Sequence, residues 1–498
     1  MTLEQQGQPP AQPLTDEGLL RRQMCRAAGL LSVGLLGNGG PAHTGAHANT
    51  AATAHATGAA NADAPGLANT LPPMTRLSTT HTLQAMVSHA RHPLASLAVL
   101  AVRDGSVVFE AAFGRRDIAA GLPATPDTLY RIASISKLAT AIGFMRLVES
   151  GQIDLDADVG RYLGTPLRNP AFLDEPISSR MLLGHTSSLR DVGDLFPAEV
   201  GLGLEQALKS GRRAEAGAHW ASAAAEAPSR RFFSYANVNC VVLGTLIERV
   251  TGQRFDRYMK QHVFAPLRLR ASFNTAEDFE PADLQQLATL YRKSPDQGRT
   301  WALAGPWVAQ GPDRTGQRNG TIANLERYVV GSNAGVFGPQ GGLRISVRGL
   351  GKLMRLMLGQ GSVDDVHILR PQTVQAMLTP HWSFNGKPQA PNGHTYRGLF
   401  REWGLGPQLF TDQGGKPGTG DRIGSPAGGF RGAGHLGEAY GLLSGLVFDA
   451  ATRNGMAYAI GGISADPNHH RGVYSAFSRW EETVLATLLP LALGTALR

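Results

Sequence analysis

Leu129-Tyr130-Arg131-Ile132-Ala133-Ser134-Ile135-Ser136-Lys137-Leu138 reads as an extended segment running into a helix. Ser134 and Lys137 stand three positions apart, one helical turn on one face, so the lysine amine can reach the serine hydroxyl. A serine hydroxyl is a poor nucleophile until a neighbouring base takes its proton. A lysine becomes that base when desolvation or a positive field lowers its pKa. A helix N-terminus supplies such a field, and its free N–H groups can hold a developing oxyanion. Alone, the pair reads equally well as a helix-capping serine and a solvated lysine. The surrounding chain decides between the two.

The chain has 498 residues, which predicts one large or two intertwined domains. Residues 1–48 have the form of an export signal. Arg21, Arg22 and Arg26 are followed by the apolar run AAGLLSVGLLG (27–37), and Ala46-His47-Ala48 fits a cleavage site. That run is too short to span a bilayer. Paired arginines suggest the twin-arginine route, from which Met24 and Cys25 depart. Residues 49–73, rich in Ala, Thr, Gly and Asn, read as a flexible linker. The mature chain is expected to be periplasmic or secreted, without a stable membrane span.

The net charge is +8, and residues 1–48 contribute three arginines against Glu4, Asp16 and Glu17, so the remainder also carries +8. Its basic residues are scattered, with neither the stripe nor the aromatic-basic module that nucleic-acid binding requires. Cys240 alone remains beyond position 48, so no intramolecular disulfide is expected, and its apolar helix marks it as a buried thiol. No H-E-x-x-H or paired Cys/His spacing occurs, so neither metal nor cofactor is inferred; His469-His470 reads as a solvated turn.

The pattern predicts a helix over 79–91 and a hairpin of 97–102 and 107–113 around Asp104-Gly105. Helices are expected at 137–148, 237–250, 255–264, 347–358 and 371–378. Residues 383–428 read as a long surface excursion. Strands at 440–448 and 456–460 flank a turn at Asn454-Gly455. A last helix aligns Val473, Phe477, Trp480, Val484 and Leu488. The expected fold is α/β of the α+β kind. An antiparallel sheet from both ends of the chain (about 74–130 and 340–498) is flanked by helices and carries an inserted, mostly helical subdomain (about 134–335). Together they make one catalytic domain over 74–498, with Ser134 at the junction.

Two further groups are candidates for that site. Tyr235-Ala236-Asn237 precedes an apolar helix. A tyrosine serves as acid or base when cations lower its pKa, and an asparagine can orient a lysine, bind a carbonyl or cap the helix. Gly434-His435-Leu436-Gly437-Glu438 enters the strand before the last hairpin, where an edge can offer backbone N–H to an oxyanion. Lys416-Pro417-Gly418 ranks below it, because Pro417 has no N–H.

These groups, in this order, resemble the serine β-lactamase and penicillin-binding protein superfamily, in its class C-like branch of β-lactamase-related hydrolases, D,D-carboxypeptidases, D-amino-acid amidases and carboxylesterases. The resemblance runs over residues 80–490. It includes Leu182-Leu183-Gly184-His185-Thr186-Ser187-Ser188-Leu189, Gly341-Gly342-Leu343-Arg344-Ile345-Ser346 and Trp403-Gly404-Leu405-Gly406. It implies that Ser134 is the acylated nucleophile and Lys137 its base. Tyr235 would relay the proton to the leaving group, and Asn237 would hold Lys137 and the acyl amide. The oxyanion would lie between the N–H groups of Ser134 and Glu438, beside Gly437. It implies a structural role for His185.

The chain departs from the family pattern at four positions. His435 replaces the usual lysine of class C β-lactamases and anchors a carboxylate more weakly. Glu438 would repel an anionic substrate if it faced the cleft. Ser188 and Arg268 replace landmark residues. The expected activity is therefore an esterase or peptidase acting on a small ester, an amide or a peptidoglycan-type peptide. The alternatives are a class C-like β-lactamase or D,D-carboxypeptidase and, more remotely, a non-catalytic binding protein of the same fold.

Overall fold

A computed structural model describes residues 73–192, 196–209, 219–311, 313 and 321–495. The expected export signal lies outside these residues, as does the linker apart from Pro73, which opens a helix over Pro73–Val87.

A nine-stranded antiparallel sheet organises the chain. Its order is Trp382–Ser383, Glu402–Trp403, Gln408–Phe410, Gly432–Ala439, Leu442–Asp449, Asn454–Ile460, Ser96–Arg103, Ser106–Asp117 and Leu122–Pro123. The two ends of the described chain meet in the middle, where Leu97 pairs with Ile460 and Val102 with Gly455. Ser96–Arg103 is buried on both faces, which explains its unbroken apolar run. Ala98, Leu100 and Val102 join the core that holds the Ser136–Glu149, Asn237–Thr251 and Val347–Leu358 helices. Leu97, Val99 and Ala101 point to the opposite core, against Pro73–Val87 and the terminal Arg479–Leu493 helix. Gly351 lets the Val347–Leu358 helix approach closely, because a Cβ there would press on Leu100.

The expected hairpin forms between Arg103 and Ser106, with Asp104 (φ 51°) and Gly105 (φ 77°) both left-handed, the backbone of a type I′ turn. The helices expected at 237–250, 347–358 and 371–378 occur as Asn237–Thr251, Val347–Leu358 and Pro371–Leu378. Ser346 caps the second of these, and Gly252 (φ 69°) closes the first. The 255–264 helix is α-helical only to Met259 and widens to a π turn over Lys260–Phe264.

Four local expectations need correction. The last hairpin turns over 450–453, not at Asn454-Gly455; Asn454 already pairs with Asp449, and Gly455 sits in the ladder against Met354. The terminal helix starts at Arg479 because Ser478 and Glu481 form a capping box, so Val473, half exposed, and Phe477 lie ahead of it. Residues 383–428 are not wholly a surface excursion. They supply two whole strands of the main sheet and Ser383 of a third, and Phe400, Trp403 and Phe410 are buried. His470 is not simply solvated: its ring packs 4.2 Å from His92 and 4.1 Å from Trp480, whereas His469 is exposed.

Candidate active site

The segment 130–137 folds as its sequence suggests, with one refinement. Tyr130–Arg131 is a short strand, Ala133–Ile135 a 3₁₀ turn, and the α-helix begins at Ser136. Ala133 takes φ 49°, a strained setting for a residue with a Cβ, directly before Ser134. Ser136 holds the bend. Its hydroxyl donates to Ala133 O at 2.6 Å and accepts from Leu343 N–H at 3.1 Å. Lys137 follows in the first turn of the α-helix, and its Nζ lies 3.0 Å from Ser134 Oγ.

Lys137 is buried and donates to Asn237 Oδ1 at 2.6 Å and Gln340 O at 2.9 Å. Burial lowers its pKa to about 8, although Cys240 and Asp191 pull the other way. Cys240 is buried on the adjoining helix, and desolvation pushes its thiol up to about 12, so it stays neutral.

Asn237 does not cap its helix; Ala236 holds that position without a side-chain bond. The cap comes from elsewhere. The Asp191 carboxylate accepts from Asn237 N–H (2.8 Å), Asn237 Nδ2 (2.7 Å) and Val238 N–H (3.1 Å). With its Nδ2 tied to Asp191, Asn237 must present Oδ1 to Lys137. Asp191 thus fixes the amide's orientation, and no sequence motif had singled it out. The only signal was its place two residues beyond the 182–189 landmark.

Tyr235 is buried, and its ring lies 5.0 Å from Lys137 Nζ. Burial raises its pKa well above the ordinary tyrosine value, and the neighbouring Ser134 hydroxyl offsets this only in part. The Tyr235 hydroxyl is therefore protonated. Tyr235 Oη makes no well-formed hydrogen bond among the described residues, and the Ser134 hydroxyl is its polar neighbour.

His185 packs its ring 4.6 Å from Tyr235. Its Nδ1 accepts from Ala236 N–H (3.2 Å) and faces Asn239 Nδ2 at 3.0 Å, while Ser187 Oγ holds Asn239 Oδ1 at 2.5 Å. Burial, with Lys137 and His435 nearby, keeps this imidazole neutral. His185 thus buttresses the backbone of Tyr235-Ala236-Asn237. Ser188, at the landmark glycine position, takes φ 65°, the left-handed setting that a glycine would adopt without strain.

His435 and Gly437 sit on Gly432–Ala439, which closes the other side. The strand lies against the serine turn, because a Cβ at 437 would overlap Ile132 O and Ser444 Oγ. Ser444 Oγ donates to Ile132 O at 2.9 Å and pins turn to sheet. Gln408–Phe410 covers this strand only from Gly432 to Gly434, so 435–439 have a ladder partner on the Leu442–Asp449 side. His435 is buried among the rings of Tyr235 (6.1 Å) and Trp403 (5.5 Å). Glu438 is buried and alternates to the face opposite His435 and Gly437. Lys416-Pro417-Gly418 lies in a separate loop against Arg471 and Gly472 and is not brought to Ser134.

A serine with a buried lysine 3.0 Å away, an asparagine on that lysine, a buried tyrosine and, beside them, a strand of the main sheet define a serine hydrolase of the β-lactamase and penicillin-binding type. The family model described as Beta-lactamase matches residues 79–463, and the chain belongs to that family. Staphylococcus aureus Protein flp (strain MW2) is 27% identical over 172 residues, 34% of this chain and 33% of that protein. The match thus spans about a third of that relative's length. The octameric penicillin-binding protein homologue from Pyrococcus abyssi superposes with a TM-score of 0.57 at 22% identity, over 85% of this chain and 78% of that one. D-amino acid amidase from Ochrobactrum anthropi SV3 gives 0.55 at 19%, over 84% and 99%. These two likenesses carry the fold. Among the described residues no helix is long and apolar enough to cross a membrane.

Proposed function

We propose that the protein is an exported acyl-transferring hydrolase in which Ser134 attacks an ester or amide carbonyl. The observation that carries this reading is the 3.0 Å contact between Ser134 Oγ and the buried Lys137 amine, whose pKa of about 8 leaves a usable neutral fraction near neutrality. Neutral Lys137 takes the serine proton as the bond to the acyl carbon forms. Tyr235, protonated in the resting state, hands a proton to the leaving group and is reprotonated from Lys137. Asn237, oriented by Asp191, holds the amine through the transfer. The backbone N–H groups of Ser134 and Glu438 receive the oxyanion, and Gly437 allows the close approach. Water then hydrolyses the acyl-enzyme by the reverse proton path. The sheet portions (about 74–130 and 340–498) and the segment between them act as one catalytic unit, and residues 1–48 direct export.

Within this mechanism we favour an ester, amide or uncharged peptide over a β-lactam. The O. anthropi fold relative, an amidase by name, is compatible with that preference. A fluorophosphonate that labels wild type but not Ser134→Ala, with ester, nitrocefin and D-alanyl-D-alanine peptide hydrolysis compared side by side, tests the reading. An unlabelled wild type would leave a binding protein of this fold as the better account.

A further inference from the structure

His435 occupies the place where a lysine would point an ammonium into the cleft, and its chemistry there is the reverse. Its Nδ1 lies 2.7 Å from Leu436 O. A carbonyl oxygen can only accept, so Nδ1 carries the proton of the neutral ring and Nε2 is left as a bare lone pair. That Nε2 is buried, with no hydrogen-bond partner among the described residues, in a side chain 1% exposed. It sits among the rings of Tyr235 and Trp403, on the same side of the strand as Gly437, and the Tyr235 hydroxyl likewise makes no well-formed hydrogen bond among the described residues. A buried acceptor left unpaired is costly, and a site built around one discriminates strongly for a ligand that supplies the donor.

We propose that His435 Nε2 is a hydrogen-bond acceptor for the substrate's leaving-group N–H, so that the preferred substrate is a carboxamide or amide whose leaving group carries no carboxylate at this point. This rests on the acyl-enzyme reading of Ser134. In the step itself the Ser134 Oγ–C bond forms and the C–N bond breaks. The serine proton passes to Lys137, and the amine nitrogen receives its proton from Tyr235. The N–H held by His435 stays intact and orients the nitrogen lone pair toward Tyr235. A carboxylate in the same position would meet the Nε2 lone pair. To bind it the ring would have to take up a second proton, which burial and the nearby Lys137 both oppose, holding the imidazole pKa at about 3.

Two measurements on the full chain test this. A long-range ¹H–¹⁵N correlation spectrum of ¹⁵N-histidine protein, with His435 assigned by its loss in His435→Gln, is expected to show Nδ1 protonated and Nε2 unprotonated at pH 7. An Nε2–H tautomer or a doubly protonated ring overturns the proposal, whatever the enzyme's activity. The second measurement is kcat/KM for one acyl group as its p-nitroanilide and as its p-nitrophenyl ester, with nitrocefin alongside, for wild type and His435→Lys. Replacing acceptor by donor is expected to lower the anilide-to-ester ratio by about tenfold or more and to raise the nitrocefin-to-ester ratio by a similar factor. Unchanged ratios overturn the proposal. Failure of every substrate and of Ser134 labelling would instead overturn the acyl-enzyme reading, and the tautomer would still be measured.

Discussion

Asp191→Ala tests the part of the site that no motif announced. The wild-type carboxylate accepts three hydrogen bonds at 2.7–3.1 Å, two from Asn237 and one from Val238 N–H. An alanine offers no acceptor, so all three donors lose theirs. A hydrogen bond to a charged acceptor is worth about 1.5–3 kcal/mol, so at least that much is lost at the start of the Asn237–Thr251 helix. The lost negative charge at a helix N-terminus removes about 0.3–1 kcal/mol of its own. The functional effect should follow from Asn237. Once its Nδ2 is no longer tied, Oδ1 is not held on Lys137, and acylation should slow by about tenfold to hundredfold. Asp191 also favours the Lys137 ammonium, so its removal should lower that pKa further below about 8. The rate of fluorophosphonate labelling, followed from about pH 6 to 10, reads both effects: a lower plateau, and an acid limb moved to lower pH. A urea melt separates them from unfolding. A plateau within twofold of wild type, or a limb moved to higher pH, would refute this account of Asp191.

Lys137→Arg should be nearly as damaging as loss of the serine, because arginine keeps the charge but cannot act as a base; most of the labelling rate surviving would mean that Lys137 supplies only charge. Gly437→Ala should cut acylation at least tenfold by pushing the strand off the Ile132 carbonyl, and a crystal structure with unmoved backbone and full activity would contradict the packing argument. Glu248 accepts from Phe255 N–H, Gly331 N–H and Tyr328 Oη, yet burial raises its pKa to about 7. The folded state then holds a proton that the unfolded chain releases near 4.5, so this group's contribution to stability falls as pH rises toward 7. Glu248→Gln should flatten that slope in denaturant titrations, and an identical slope would show that Glu248 ionises normally.

The parts of the site that lie within a few residues of one another were legible in the sequence. Ser134–Lys137 and Tyr235–Asn237 need only helical or turn spacing to act together, and Gly437 needs only a close approach. Asp191 was not legible, because its partner lies 46 residues away and a lone aspartate in a loop has no periodicity to betray it. The tautomer of His435 depends on one carbonyl of the following residue, which is set only in the folded chain. In the fold, Asn454-Gly455 carries a turn signature but serves the ladder, since Gly455 lets Met354 approach the sheet. The aromatic residues of 383–428 are spread too widely among glycines and prolines to read as strands, and tertiary contacts override that composition.

The most direct test of the central claim is the mass and pH dependence of covalent labelling at Ser134. Wild type treated with a fluorophosphonate should gain one adduct, mapped by peptide sequencing to Ser134. The labelling rate should climb through about pH 8 as Lys137 loses its proton, and Ser134→Ala should gain no adduct. An adduct on another residue, or a rate flat across that range, would contradict a serine activated by a neutral, buried lysine.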